Sequence, residues 1–535
     1  MFADFNGDQH FDLLRQRMKL FAPSKLLLQF GTLLALATSV HAQYTPGQSA
    51  SIVWGQSSFT GGNAANPPTQ GSLAGPMSIA VDPTTGKFFV ADTANNRVLR
   101  YSSASAFFNG AGAELVFGQS DFVTQTAGAV SQSTMKNPSA VVVDSSGTLW
   151  VADTGYNRVL SFTGASSQSS NGANAAIVLG QSGVSNFTTS TNGTTQGGMS
   201  GPAGLAVDSQ GSLYVADSTN NRILKFISPS TNTSGNANGV FGQTNFNNGT
   251  GGTSPTAFTN PTALTVDASG NLWVADTGNN RVLEFTSITS QPTNGTASAS
   301  LVLGQSDLTT GSAGAVAANT LKSPSGVTFD TLGRIYVGDQ GYNRVLVYGQ
   351  ASTLPSTNAS ASFVLGQTSF TSSSSGTTAS TLSGPTGLLY SNELLWVADT
   401  TNNRMLAFAI TPGTPDIVFT PNMQLPSNKQ RHFNLFIANT GGSDEFTLKV
   451  SIPSGTNKLA KLTFFFQGVD ITSALKAGTF VTPEFQSVNQ QIVVKVAPKS
   501  ATKGGMIKIN VTATSVTDTA TTVTEAVTAK LVKKK

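Results

Sequence analysis

The dipeptide Gly-Gln recurs at Gly55, Gly118, Gly180, Gly242, Gly304 and Gly366, at intervals of 63, 62, 62, 62 and 62 residues. A fixed period of this length constrains the fold strongly, because every unit must build the same supersecondary piece and stack it on its neighbours. Each unit holds four short segments with strand character: in the fifth, LVLGQ (301–305), SGVTFD (325–330), RIYVGD (334–339) and RVLVY (344–348). They are β-branched or aromatic and bounded by Gly, Ser, Asn or Asp turns. A tight turn such as DSSG (144–147) or DASG (267–270) joins the second segment to the third. The period is too long for one coil of a β-helix or leucine-rich repeat, and no 3.6-residue apolar rhythm supports helical repeats. Six units of four strands specify an all-β fold, a six-bladed β-propeller.

The order of strands predicts how the ring closes. The array opens with a lone Gly-Gln strand, SIVWGQ (51–56), and ends with a unit of three strands that lacks its own. The N-terminal strand is therefore expected to complete the last blade and tie the two ends together.

Every unit carries a hairpin like LWVADTGNNRVLEF (272–285), with an Asp closing one strand and an Arg opening the next. The pairs are Asp92/Arg97, Asp153/Arg158, Asp217/Arg222, Asp276/Arg281, Asp339/Arg344 and Asp399/Arg404. A functional reading makes them a ring of charges at a channel mouth. The structural reading has each Arg return to its own Asp and pin the turn by a charge-assisted hydrogen bond. Turn geometry needs six identical copies and function seldom does, so the structural reading is preferred. The aromatic residue before each Asp (Phe89, Trp150, Tyr214, Trp273, Tyr336, Trp396) is assigned to packing between blades.

Blades two and five differ from the rest. Their turns read TGYNR (154–158) and QGYNR (340–344), with Tyr where the others carry Asn. Their preceding loops, 121–139 and 307–325, also correspond without insertion at a separation of 186 residues, pairing Asp121 with Asp307, Lys136 with Lys322 and Tyr156 with Tyr342. In a six-bladed ring these blades face each other, and the loops and Tyr turns belong to one rim. The six residues are the candidate ligand-binding set, weighed against duplication of a three-blade unit whose loops have drifted little.

Units such as NPTALTVDASGNLWVADTGNNRVLEF (260–285) are similar to NHL repeats, and the likeness extends over 51–408 in all six units. NHL repeats build six-bladed propellers, which is what the resemblance implies here. Two departures stand out: longer loops before each blade, and LLYSNELLWVAD (388–399) in blade six, where the Asp after the first strand is missing. Lyases with NHL-like propellers rely on His at the channel, and residues 44–408 contain none, the three being His10, His41 and His432. Gluconolactonase-like calcium sites use Asp, Asn and Glu, and no unit departs from its siblings by gaining such a cluster. No cofactor is assigned; calcium in the channel is left open without a specific ligand set.

Outside the array the sequence is less specific. Residues 44–408 carry 12 Lys and Arg against 16 Asp and Glu, whereas 409–535 carry 14 against 7, so the overall charge of +4 belongs to the C-terminal region. No basic patch interleaved with aromatics accompanies it, which argues against nucleic-acid binding. The chain has no Cys, so no disulfide framework or thiol chemistry is available. Lys19 and Lys25, an apolar run from Leu26 to Val40 and the small residues Val40 and Ala42 have the order of a secretory signal, placed at 18–42; no transmembrane span is expected. Upstream, DFNGDQHFDLL within residues 1–17 resembles the calcium loop of FG-GAP repeats through Asp4, Asn6, Asp8 and Asp12. It is a single copy with Gln9 at the position of a turn glycine, and no metal is assigned to it.

After a Pro/Gly linker at 409–415, residues 416–535 alternate strands and turns in a pattern that resembles the Ig-like β-sandwich modules of bacterial surface proteins, notably through IANTGGSDEFTL and VKVAPKSATKGGMIKINVTATS. The expected protein is a secreted or cell-surface monomer, possessing a rim that binds a protein or carbohydrate. An extracellular lyase or lactonase using an oxygen-ligated metal, and a structural envelope or matrix component, are the alternatives.

Overall fold

The computed structural model describes residues 47–103, 108–291 and 295–409, and in the C-terminal region 415–419, 423–426, 431–439, 446–452, 456, 460–467, 469–482, 490–498, 506–515 and 522–532. The upstream segment 1–17, the expected signal at 18–42 and linker residues 410–414 lie outside the described residues. The chain divides into two compact units, Tyr44–Ile410 and a C-terminal one from Thr411.

The first unit consists of six four-stranded antiparallel sheets. The innermost strands are Pro76–Val81, Pro138–Val143, Pro202–Val207, Pro261–Val266, Pro324–Phe329 and Pro385–Ser391. Each begins with Pro, which is harmless at the first residue of an edge strand because no ladder donor is lost there. Each then skips register once: Pro76 lies opposite Asp92 and Ser78 opposite Ala91, so the intervening residue is bulged. Such bulges increase local twist.

Successive innermost strands lie side by side around the ring, the sixth beside the first. Hydroxyls at the hairpin turns stitch them together. Thr93 Oγ1 donates to Pro138 O, Thr154 Oγ1 to Pro202 O and Thr277 Oγ1 to Pro324 O, and Thr400 Oγ1 closes the circle onto Pro76 O at 2.7 Å. Blade five has Gln340 at this position, and Ser325 Oγ supplies the bond to Pro385 O instead.

The N-terminal strand Ile52–Trp54 completes blade six, as the strand order predicts. Ile52 pairs with Ala407, Val53 with Leu406 and Trp54 with Met405, antiparallel. The seam is aromatic: the Trp54 ring lies 4.2 Å from Trp396 and 4.5 Å from Tyr101, with Phe88 edge-on at 5.6 Å. Trp54, Trp396, Phe88 and Tyr101 are fully buried. Ring pairs of this kind contribute about 0.5–1.5 kcal/mol each beyond burial. The strand closing the circle is thus held by packing as well as by its ladder.

The C-terminal unit contains two five-stranded sheets. Leu462, Phe464, Ile492 and Val494 from one share a single apolar core with Leu448, Val450, Ile509 and Val511 from the other, making a β-sandwich. The alternating pattern of 416–535 is plain in six of these strands but not in Met423–Pro426, which pairs parallel with Thr522–Val532, nor in that last strand itself. It also missed the helix Thr472–Ala477, which ends at Gly478 in the left-handed conformation (φ 71°).

Candidate functional site

The hairpin turns converge on one rim of the propeller, and their chemistry follows from the strand ends. In each blade Asp and Arg are the last paired residues of the hairpin, for example Asp276 opposite Arg281. Arg Nε donates to Asp Oδ2 at 2.7 Å in all six pairs: Arg97 to Asp92, Arg158 to Asp153, Arg222 to Asp217, Arg281 to Asp276, Arg344 to Asp339 and Arg404 to Asp399. Every one of the twelve side chains is fully buried. Asp Oδ1 accepts the backbone N–H just before the innermost strand, from Ala74, Lys136, Ser200, Thr259, Lys322 or Ser383, at 2.6–2.7 Å.

Each Arg returns to its own Asp as the spacing suggests, and it also reaches beyond its own turn. A guanidinium has five N–H donors and the Asp takes only the one on Nε, so the rest must find acceptors in a dry site. They reach the carbonyls of two successive long loops, one on either side of the blade. Arg97 donates to Thr69 O and Ser72 O in the loop before blade one, and to Phe122 O in the loop after it. Arg222 likewise joins Thr194, Thr195 and Gly198 to Phe246, and Arg281 joins Thr253, Ser254 and Ala257 to Leu308. Arg158 links Ser131 and Thr134 to Phe187, and Arg344 links Ala317 and Thr320 to Phe370. Arg404 ties Thr377, Thr378 and Thr381 to Phe59, which follows the N-terminal strand, so the last arginine also holds the seam. The six arginines therefore fasten blade to loop all around the rim, and none of the pairs presents a free charge to solvent. An ion pair this dry persists only because its lone pairs and protons are matched.

Between Asp and Arg the chain makes one 3-10 turn and then places an Asn in the left-handed region: Asn96, Asn157, Asn221, Asn280, Asn343 and Asn403, with φ of 52–54°. Asn tolerates this conformation better than other residues with a Cβ. Its side chain adds a contact between blades. Oδ1 accepts a backbone N–H from the next blade, running from Asn96 to Asn137, Asn157 to Gly201, Asn221 to Asn260, Asn280 to Ser323, Asn343 to Gly384, and Asn403 back to Gly75. Six such bonds form an unbroken belt. The repeated Gln acts on the same residue: Gln305 Nε2 donates to Asn280 O at 2.9 Å and to Ser312 O at 3.1 Å, clamping loop to hairpin. Its neighbour Gly304 has φ 88°, and a Cβ there would come within 2.7 Å of Leu321. Gly-Gln is thus a turn that brings the loop back onto the hairpin.

Tyr156 and Tyr342 stand where the other turns have an Asn that donates to the Asp. Asn95, Asn220, Asn279 and Asn402 each give Nδ2 to Asp Oδ2 at 2.8–2.9 Å. In blades two and five that donor is absent, and burial pushes the Asp153 and Asp339 carboxyls up to about 6 against the pull of Arg158 and Arg344. The Tyr hydroxyls reach outward, donating to Gly128 O and Gly314 O in the long loops. Each ring is covered by two cations. Lys136 Nζ lies 5.9 Å from the Tyr156 centroid and Arg158 Cζ 5.3 Å; for Tyr342, Lys322 is at 5.7 Å and Arg344 at 5.2 Å. Both Lys residues are exposed.

Residues 199–226 and 258–285 match the NHL repeat, covering the hairpins of blades three and four. Blades three and four are NHL repeats, and the unit that holds them is a β-propeller. No curated protein matches the chain. Among solved structures it is similar to virginiamycin B lyase from Staphylococcus aureus, at 13% identity and TM-score 0.34, covering 64% of this chain and 96% of that one. It is also similar to a protein of unknown function from Bacteroides thetaiotaomicron, at 16% identity and TM-score 0.40 over 68% and 76%. A third, a putative gluconolactonase, gives 12% and 0.38 over 68% and 93%.

The propeller brings Tyr156 and Lys136 together in blade two, and Tyr342 and Lys322 together in blade five. These are two separate clusters, carried by blades that are not neighbours in the ring. Asp121 and Asp307 do not join them. Asp121 accepts the backbone N–H groups of Val123 and Thr124 and so holds its own loop turn, as Asp307 does with Thr309 and Thr310. Hydrogen bonds, led by the Thr124 N–H for Asp121 and by the Thr309 hydroxyl for Asp307, keep both carboxyls below the usual range.

The central cavity of about 240 Å3 is lined by the six innermost strands, with side chains such as Ile79, Val141, Leu205, Leu264, Val327 and Leu389 interspersed with Ser and Thr. No titratable side chain is among its lining residues. Among the described residues no group of three or more His, Cys, Asp or Glu could hold a metal.

Sequence reading missed three further features of this propeller. The Asn belt joins residues about forty apart, and nothing local marks the partner. The hairpin aromatic is more than packing: Trp150 Nε1, Tyr214 OH, Trp273 Nε1 and Tyr336 OH donate to Asp144, Asp208, Asp267 and Asp330 at 2.7–3.0 Å. Blade six lacks that Asp, and Trp396 Nε1 is buried with no hydrogen-bond partner among the described residues. Finally, blade four does depart from its siblings in acidity, because Glu284 lies on the same surface as Asp267, with Asn271 bonded to both.

Proposed function

We propose that the protein is a secreted, non-enzymatic binding propeller whose hairpin rim docks an acidic macromolecular partner through Lys136 and Lys322, with the C-terminal sandwich serving as an Ig-like module. The observation that carries this reading is the pair of exposed ammonium groups laid on the turn tyrosines of blades two and five. The other lysine stacked on a Tyr, Lys225 over Tyr214, is buried within blade three and is closed to a partner. The Tyr156 and Tyr342 faces are covered and their hydroxyls bonded, so the groups left to a partner are the two exposed lysines. A Lys held against an aromatic face loses less rotamer freedom on binding than a free one.

Non-adjacent blades demand a partner broad enough to span them, which favours a protein over a small sugar. The lyase or lactonase alternative draws no support from the channel, whose lining carries no titratable side chain. The test is to capture partners from an extract of the source organism with the full chain and with a Lys136→Glu/Lys322→Glu variant. Retention of the same partner by both would reject the proposal; loss from the variant, with an unchanged melting midpoint, is the expected result.

A further inference from the structure

At the opposite ends of the strands, where each innermost strand turns back into the hairpin, neighbouring blades meet in a second set of contacts. Between blades one and two the space is filled with cations from the chain itself. Arg100, 5% exposed, donates from Nη1 to Ala165 O at 2.7 Å and from Nε to Glu114 at 2.7 Å. Lys87 Nζ donates to Ser166 O at 3.1 Å and pairs with Glu114 at 2.7 Å. Asp82 closes the group through Ser166 Oγ.

The same positions recur between blades four and five, 186 or so residues further along. Ala351 and Ser352 stand for Ala165 and Ser166, and Asp267 for Asp82, but Asn271 replaces Lys87 and Glu284 replaces Arg100. The result is a cavity of about 620 Å3 that these five residues help to line. Glu284 is 6% exposed, held by Asn271 Nδ2 at 3.1 Å and Ser300 Oγ at 3.3 Å. Asp330, also at the wall, is neutralised by Arg334 at 2.6 Å, whereas among the described residues neither Asp267 nor Glu284 has an ion-pair partner. Phe329 supplies an aromatic wall, edge-on to Trp273 at 5.4 Å.

The geometry points to a guanidinium-binding site between blades four and five, in which an arginine-type cation from outside takes the place that Arg100 fills between blades one and two. Asp267 already accepts the N–H groups of Ser269 and Asn271 on Oδ1 and those of Asn271 Nδ2 and Trp273 Nε1 on Oδ2, so it contributes charge, whereas each Glu284 oxygen has a single donor and keeps capacity for one arm of a planar guanidinium. The Phe329 face suits a delocalised, weakly hydrated cation better than a hydrated metal ion. A buried acid without a counter-charge is costly to the fold alone, so a bound cation is stabilised by relieving that cost.

The full chain is titrated calorimetrically with agmatine, with a blocked Gly-Gly-Arg-Gly-Gly peptide and with the same peptide carrying citrulline, the uncharged isostere. Saturable binding of an arginine probe at least tenfold tighter than citrulline is expected, agmatine or the peptide being stronger according to whether the natural source is a free molecule or a protein side chain. Glu284→Gln, which keeps the Asn271 and Ser300 bonds, should weaken binding at least tenfold without lowering the melting midpoint. Glu284→Arg should fill the cavity and abolish binding. Asp267→Asn serves as a second weakening variant should Glu284→Gln fold poorly. Equal binding of citrulline, undiminished binding by Glu284→Gln and Asp267→Asn, no saturable response to either arginine probe, or displacement of them by calcium chloride would each overturn the assignment.

Discussion

Blades two and five make the same Asp–Arg pair, the same left-handed Asn and the same Gln clamp as the other four, yet their turns hold Tyr where the others hold Asn. In the Asn blades the polar atoms of the turn face inward and are taken up by the hairpin. In the Tyr blades the Asp loses one donor, and the side chain turns outward to brace the long loop and carry a lysine. The contrast separates two jobs within one repeat. What all six blades share holds the ring; what two of them change braces a long loop and sets a lysine at the surface.

The strongest way to break that division is to open the ring. Removing residues 43–56 deletes the closing strand and the Trp54 stack, and cooperative thermal unfolding is expected to vanish; a single sharp transition would show that the seam is dispensable. Arg281→Ala comes next. It leaves the buried Asp276 carboxylate without its counter-charge and takes a donor from each of four loop carbonyls, a loss of about 3–5 kcal/mol by urea unfolding.

Asn280→Ala should cost about 1–3 kcal/mol, since it removes the interblade bond and keeps a Cβ in a left-handed conformation. Asn280→Gly relieves only the conformational part, so the difference between the two variants isolates the backbone cost and the loss that remains in Asn280→Gly reports the side-chain bonds.

The smallest expected effect compares the two turn types directly. With Asp153 and Asp339 raised to about 6 from the ordinary 3.9 or so of an unfolded chain, their contribution is complete below about pH 4 and is lost as pH rises to about 6. Tyr156→Asn with Tyr342→Asn restores the missing donor and favours the carboxylate. The double variant should therefore lose less stability over that range, by about 1 kcal/mol at each site. Parallel pH profiles for variant and parent would remove the explanation.

Fold and closure were legible because period, strand length and turn residues are local signals. Asp and Arg five apart also suggest their pairing, since both sit on one tight hairpin. The reach of the same arginines into two loops was not legible: the carbonyls that Arg97, Arg222 and Arg404 hold belong to backbone, which carries no sequence mark. Nor was the Asn belt, because Asn280 and Ser323 meet only once blades stack, and an Asn before an Arg reads as an ordinary turn residue. Tyr156 and Lys136 were singled out by comparing repeats, but the sequence could not tell that the ring would be covered and only the ammonium left exposed. Glu284 was hidden for the opposite reason. A single charge on a strand looks solvated, and its burial beside Asp267 follows from the neighbouring blade. The last strand, Thr522–Val532, is hard to read in the sequence because its Ala, Lys and Glu residues dilute the β-branched pattern.

The central claim is that the repeated pairs hold the fold while the residues peculiar to blades two and five do not. Urea unfolding of Lys136→Glu/Lys322→Glu beside Arg281→Ala tests it most directly. The account predicts an unchanged midpoint for the lysine variant and a loss of about 3–5 kcal/mol for the arginine variant. A lysine variant that unfolds as early as the arginine variant, or an arginine variant as stable as the parent, would contradict it.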